Sequence, residues 1–486
     1  MSAQKRLLKF AALFLGALAL VLTASAQDPQ TPPEQEPPSQ SKPKPAARGI
    51  PSVADPNSTV ENEAPPHSWQ PDNGPATGMQ TPSFGSPELG HSYWVPGAEY
   101  GNTIQSRALG TDGQNSWSTN NYIGGNLSLL EASSRSQFGL NYSGGGFFTT
   151  DSQQSNGWYS ILGAGESLNL GRLQVQFFDY FSYLPESQFG FFGGTGLAIP
   201  GINGTLGASV PGLGVSVIPN QSIFNAVGPR YSNAFATQTT YLLSRRSSVT
   251  LGGSYGFLKF TEPGNVDNDM VVGTAGYNYQ LTDTDTIGLF YRFTAFHYTG
   301  EPQAIGNHVV NVVYVKKISR RLALSVSGGP QITNYRVPVN DQTQSIQGSG
   351  GVSFSYSLDR AAVNASYYHG LTGGGGLYLG SNTDQATVTF GRQLGRVWTG
   401  HLNFGYARNS SLANAAGVAR PSTSDWFIGG GVSRPIGREF NFAFSYTARF
   451  DSSGATGCIG SNCNSSYTQN LISITVQWHP RPFVLP

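Results

Sequence analysis

The segment Phe440–Phe450 constrains the fold more than any other stretch of the chain. Phe440, Phe442, Phe444, Tyr446 and Phe450 share one parity, while Asn441, Ala443, Ser445, Thr447 and Arg449 share the other. Successive side chains of a strand point to opposite faces, so one face here is aromatic and the other small and polar. A soluble sheet would bury the aromatic face in a core. A membrane barrel would turn it to lipid and keep the polar face inside.

The pattern recurs. Leu402, Phe404 and Tyr406 oppose His401, Asn403 and Gly405. Ile472, Ile474, Val476 and Trp478 oppose Leu471, Ser473, Thr475 and Gln477, and Ile287, Leu289, Tyr291 and Phe293 oppose Gly288, Phe290, Arg292 and Thr294. Polar faces return too often for one packed soluble interior. Trp117, Tyr122, Trp158, Trp398, Trp426 and Trp478 fall near strand ends, where interfacial aromatic girdles sit. The mean hydropathy of −0.24 does not oppose this reading, because alternating strands average out.

The N-terminus adds an export signal. Lys5, Arg6 and Lys9 precede the uncharged apolar run 10–22, and Ala24-Ser25-Ala26 is a small-residue cleavage site. Residues 1–26 therefore read as a secretory signal peptide. No later segment offers the ~20 apolar residues of a spanning helix, so a membrane form of this chain must be a barrel. Residues 27–90 hold fifteen of the 30 prolines and few aromatics, the composition of an extended, disordered periplasmic tail. The barrel is expected over 91–480, with 481–486 as a C-terminal extension.

Short polar turns recur near Ser133, Leu170, Arg245, Asp283, Ser319, Asp359, Gly395 and Ile436-Gly437. Between them lie a strand, a longer loop and a strand. The spacing predicts 18 strands near 92–103, 117–130, 135–148, 157–168, 172–184, 232–243, 247–260, 269–281, 285–298, 306–318, 321–335, 345–358, 361–371, 382–394, 396–408, 423–434, 438–450 and 466–478. Pro96 makes the first of these the weakest. The fold class is all-β: an antiparallel up-and-down transmembrane barrel of about 18 strands (16–20). An even count places both chain ends on the periplasmic side. Lys and Arg gather at the short turns, as at Arg245, Arg246, Lys316, Lys317, Arg320 and Arg321. Acids gather in or beside the long loops, as at Asp384, Asp425 and Asp451.

One connection, 185–231, is far longer than the rest and carries no charge between Glu186 and Arg230. Phe189, Phe191, Phe192, Ile223 and Phe224 help make it apolar. An apolar loop of this size should not stand in water, so it either narrows the lumen or packs as a lid. Cys458 and Cys463 are the two cysteines, both in the last long loop, and an exported chain favours a disulfide between them.

Chemistry-bearing motifs are absent. There is no His-Glu-x-x-His and no P-loop. Gly252-Gly253-Ser254-Tyr255-Gly256 matches a nucleophile-elbow spacing but lies inside a strand rather than at a strand-to-helix turn. The glycine run 373–376 sits in a loop, not before a helix. No metal site, cofactor or catalytic residue is expected, and a net charge of +1 gives no case for nucleic acid. The expected partners are outer-membrane lipids and the barrel insertion machinery, and the sequence leaves the oligomeric state open. Arg292, His401, Asn403, Ser445, Thr447 and Arg449 are the candidate lumen residues.

The export signal, the hairpin cadence, and the segment Asn220-Gln221-Ser222-Ile223 followed by Arg230, Asn233 and the turn Ser244-Arg245-Arg246-Ser247 resemble a family of porin-like outer-membrane β-barrels of diderm bacteria. The resemblance covers about 91–480. It implies an outer-membrane channel for passive passage of small solutes or for secretion of a polymer. The alternative is a surface barrel whose long loops bind ligands or partners. Such barrels commonly end on an aromatic residue read by the insertion machinery. Here eight residues follow Trp478, so either Trp478 or Phe483 supplies that signal.

Overall fold

The structure is a computed structural model. It describes residues 92–485 apart from 109–114, 134, 151–155, 185–228, 262–264, 320, 340, 359, 375–377, 413–421 and 455–465. The expected signal peptide and tail, the apolar residues Phe189, Phe191, Phe192, Ile223 and Phe224, and the pair Cys458 and Cys463 lie outside the described residues.

The strands are β1 (Tyr93–Ala108), β2 (Asn115–Ala132), β3 (Ser136–Thr149), β4 (Gly157–Leu170), β5 (Leu173–Leu184), β6 (Arg230–Leu242), β7 (Ser247–Phe260), β8 (Asn268–Gln280) and β9 (Asp285–Tyr298). They continue with β10 (Ala304–Ser319), β11 (Leu322–Val339), β12 (Gln342–Leu358), β13 (Ala361–Thr372), β14 (Ser381–Gln393), β15 (Thr399–Ser411), β16 (Ser422–Ile436), β17 (Phe440–Gly454), β18 (Ser466–Trp478) and the two-residue β19 (Phe483–Val484). Each long strand pairs antiparallel with the next, and β1 pairs with β18 from Ala98↔Trp478 to Gln105↔Leu471. The eighteen long strands thus close into one barrel with no free edge. Each predicted strand has its counterpart.

Two features differ from expectation. The connections opposite the short turns are not all long: β9 joins β10 through residues 299–303, and β11 joins β12 through 340–341, where Asp341 has a positive φ of 61°. The C-terminal extension also joins the sheet. Phe483 and Val484 pair with Trp94 and Tyr93, and the rings of Trp94 and Phe483 stack at 4.7 Å.

Pro96 does not interrupt β1, and the register shows why. β1 meets β18 from Ala98 and β19 at Tyr93 and Trp94, so its ladder on that side has a gap at 95–97. A proline, which brings no N–H, is tolerated where the ladder lapses. Pro330 follows the same rule: the β10–β11 ladder skips from Val312↔Gly328 to Val309↔Gln331.

Burial alternates along the strands. On β17, Phe440, Phe444 and Tyr446 are exposed while Ala443 and Arg449 are buried. The exposed parity continues around the barrel through Trp117, Ile123, Leu251, Leu289, Val312, Leu402, Ile428 and Ile474. An apolar surface that encircles the molecule far exceeds the patches found on soluble monomers; it is a surface for lipid. At mid-height this belt is broken on β5 and β6, where Asp179 accepts a hydrogen bond from Asn233 Nδ2 (2.8 Å).

Ile428 sits outward near the middle of β16. Ile428→Arg should cost about 2–4 kcal/mol at the bilayer midplane, whereas Thr447→Arg, on the opposite face of the next strand, should cost clearly less. Reversible unfolding in lipid vesicles measures both.

Candidate functional site: the inward wall

Because side chains alternate, each antiparallel register pair places two inward residues side by side on neighbouring strands, about 4.8 Å apart. Following these pairs across the sheet gives rows. One row runs Ser355, Asn364, Thr389, Asn403, Gly429, Thr447 across β12–β17. The next row toward the long loops runs Ser353, Ser366, Thr387, Gly405, Phe427, Arg449. A row nearer the short turns holds His401, Gly431, Ser445 and Ser473, and ends at Thr103 of β1. Gly429 is needed in the first row: a Cβ there would crowd the Thr447 hydroxyl at 2.7 Å.

Five of the six expected lumen residues therefore lie on three adjacent rows of β15–β17. Asn403, Ser445 and Thr447 are half-buried, and His401 is buried. Arg292 is apart from them. It projects inward from β9, and its Nη2 reaches the Tyr368 hydroxyl of β13 at 3.4 Å. Three strands lie between β9 and β13, so this contact is a chord across the interior.

Arg449 is not an isolated charge. Its Nε and Nη2 both donate to Asp425 Oδ2, and the two side chains are 4 % and 1 % exposed. Asp425 lies at the loop end of β16, inside the expected strand 423–434, and the register adds that it stands one inward step from Phe427, the residue paired with Arg449. Asp384 lies near the loop end of β14, as expected, on the outward face, accepting from the Tyr367 hydroxyl (2.7 Å) and contacting His369 Nδ1 (2.7 Å).

The interior is uneven. Inward positions of β4, β6 and β18 are buried throughout their membrane-crossing lengths, as are those of β9 from Gly288 to Tyr298. On β1–β4 the filling is specific. Glu99 accepts from Ser143 (2.6 Å) and Tyr159 (2.9 Å), and Tyr122 packs on Phe147 and Tyr159. A Cβ on Gly124 would strike the Tyr159 hydroxyl, so this glycine lets the tyrosine lie flat and reach Glu99. Accessible inward positions concentrate on β11–β17, and Asn364 and Ser366 are exposed.

Toward the long-loop end an apolar cluster crosses the interior. Met270, Val272, Phe296, Tyr298, Ile305 and Tyr335 of β8–β11 meet Leu371 and Leu412 from β13 and the end of β15. The loop after β13 reaches the same place. Leu379 packs on the cluster, and a side chain at Gly380 would collide with Ile305 Cδ1. Gly374 and Gly380 have φ of 96° and 82°, a conformation that glycine alone adopts freely. Backbone bonds from Tyr378 N to Gly374 O (3.1 Å) and from Leu412 N to Gly380 O (3.1 Å) hold the loop. The described part of this loop, around Leu379 and Gly380, thus packs against the far wall of the interior. Sequence reasoning placed narrowing in 185–231, and the signal it passed over was the pairing of Leu379 with flanking glycines.

Among the described residues no group of three or more His, Cys, Asp or Glu side chains could hold a metal ion.

No family model and no curated protein matches the chain. Among solved structures it is similar to OpdQ of Pseudomonas aeruginosa, with 11% identity over 80% of this chain and 98% of that one and a TM-score of 0.40. It is also similar to OccK2 (OpdF) of the same organism in complex with glucuronate, with 9% identity over 79% and 98% and a TM-score of 0.41. OccAB1 of Acinetobacter baumannii gives 10% identity over 79% and 96% and a TM-score of 0.40. The barrel assignment itself rests on the closed ladder described above.

Asp425→Ala strands a buried guanidinium and should destabilise the barrel by about 3–5 kcal/mol, whereas replacing Asp425 and Arg449 together by leucine should cost much less. A double-mutant cycle in denaturant checks this.

Proposed function

We propose that this chain is a porin-like outer-membrane β-barrel, exported through residues 1–26, that forms a channel for passive passage of small polar solutes. In that setting the short turns and both chain ends lie in the periplasm and the long-loop end faces outward. One observation carries the reading: a closed 18-strand ladder with an apolar outer surface encloses a polar inner wall that stays accessible on β11–β17. Barrels of 16–18 strands leave an aqueous lumen unless they are plugged. The cluster around Ile305, Leu371 and Leu412 acts as a partial plug at the outer mouth. The belt partners are membrane lipids, and the insertion machinery reads the C-terminal strand, where Trp478 ends β18 and Phe483 extends the seam. No enzymatic role is proposed.

A second reading is a surface platform that binds partners at its long-loop end. It is favoured by β11 and β12, which at 18 and 17 residues are longer than a tilted crossing of about 9–11 residues needs.

Refolded protein in a planar bilayer should give stepwise single-channel conductance. Leu379→Ser combined with Leu412→Ser should raise that conductance by loosening the closure. A folded barrel that conducts in neither form would leave the platform reading in place.

A further inference from the structure

The inner wall has a chemistry more specific than general polarity. Among the described residues, no Lys, Arg, Asp or Glu stands at an inward position of β12–β15. Inward charges stand elsewhere: Asp425 is engaged with Arg449, Glu99 with Ser143 and Tyr159, and Arg292 with Tyr368, while Arg230 is buried on β6 and Lys317 stands at the short-turn end of β10. What remains accessible is a strip of hydroxyls and amides. Asn364, Ser366, Thr387, Thr389, Asn403 and Thr447 lie on two adjacent rows, with Ser366 Oγ and Thr387 Oγ1 2.6 Å apart.

Building on the channel reading, we propose that this strip selects neutral polyhydroxylated solutes, monosaccharides and short saccharides, over ions of the same size. Hydroxyl and amide groups both donate and accept, and so do sugar hydroxyls. Each hydrogen bond that a sugar loses to water on entry is replaced by one to the strip. Strand spacing of about 4.8 Å lets one sugar ring touch two or three side chains at once. An ion gains nothing comparable. It loses hydration in a confined space whose accessible wall carries no opposite charge, and that loss is uncompensated.

Proteoliposome swelling with glucose and glucuronate, together with the reversal potential in a KCl gradient, tests the inference. Glucose should enter several-fold faster than glucuronate, and the reversal potential should lie near zero. Asn364→Leu with Asn403→Leu should lower the ratio of glucose rate to KCl conductance, and the milder pair Ser366→Ala and Thr387→Val should lower it in the same direction. Equal or faster entry of glucuronate, a strongly ion-selective reversal potential, or an unchanged ratio in folded variants would overturn the substrate class while leaving the channel intact. Absence of both swelling and KCl conductance would instead remove the channel reading on which this one rests.

Discussion

The structure depends on one constraint: in hydrocarbon, every backbone N–H and C=O must find its partner within the protein. An open sheet would leave two unpaired edges in lipid. The pairing of β1 with β18 removes them, and every other regularity follows from that closure. Once the ladder is a ring, strand alternation divides all side chains into an outer and an inner set. The outer set must be apolar around the whole circumference, as it largely is. Interior prolines survive where the ladder already lapses, at 95–97 of β1 and beside Pro330 of β11.

Inside, the governing quantity is the cost of an unpaired charge away from water. Glu99, Arg292, Asp425 and Arg449, all buried and inward, each have a partner contributed by a different strand. Asp425 faces Arg449 on the next strand, Glu99 draws donors from β3 and β4, and Arg292 reaches over three strands to Tyr368. Glycines do comparable work by absence. Gly124 leaves room for the Tyr159 ring and Gly429 for the Thr447 hydroxyl.

Much of the fold was legible because alternation and turn chemistry are local. Phe440–Phe450 could be assigned to an amphipathic strand from eleven consecutive residues, and its aromatic side to the outside once the export signal, the turn cadence and the recurring polar faces were added. What was not legible depends on register. No local signal says that residue 425 stands beside residue 449, so Asp425 could be placed at the loop end of a strand but not against Arg449. The row joining Ser355, Asn364, Thr389 and Asn403 exists only once four strands are aligned. Ser366 and Asn364 alternate with Ala365 and Tyr367, a pattern open to inspection, but only the three-dimensional ladder shows that they share a wall with Thr447. Arg292 was grouped with residues it does not approach, because parity gives the face but not the azimuth. The closure at Gly380 was missed for the opposite reason: a short glycine-rich loop reads as mere flexibility until the far wall it touches is known.

The uneven filling of the interior has a geometric consequence. With β4, β6 and β9 buried on their inner side and a chord drawn from Arg292 to Tyr368, the accessible inner wall is not spread evenly about the barrel axis but lies on the arc that β11–β17 subtend. On the proposed channel reading the eighteen strands therefore divide their labour: one arc acts as a buttress that holds the circumference, and the other is the surface a solute would meet. Substitutions on the buttress would register as changes in stability and those on the opposite arc as changes in permeation, so the two properties can vary almost independently within one closed sheet.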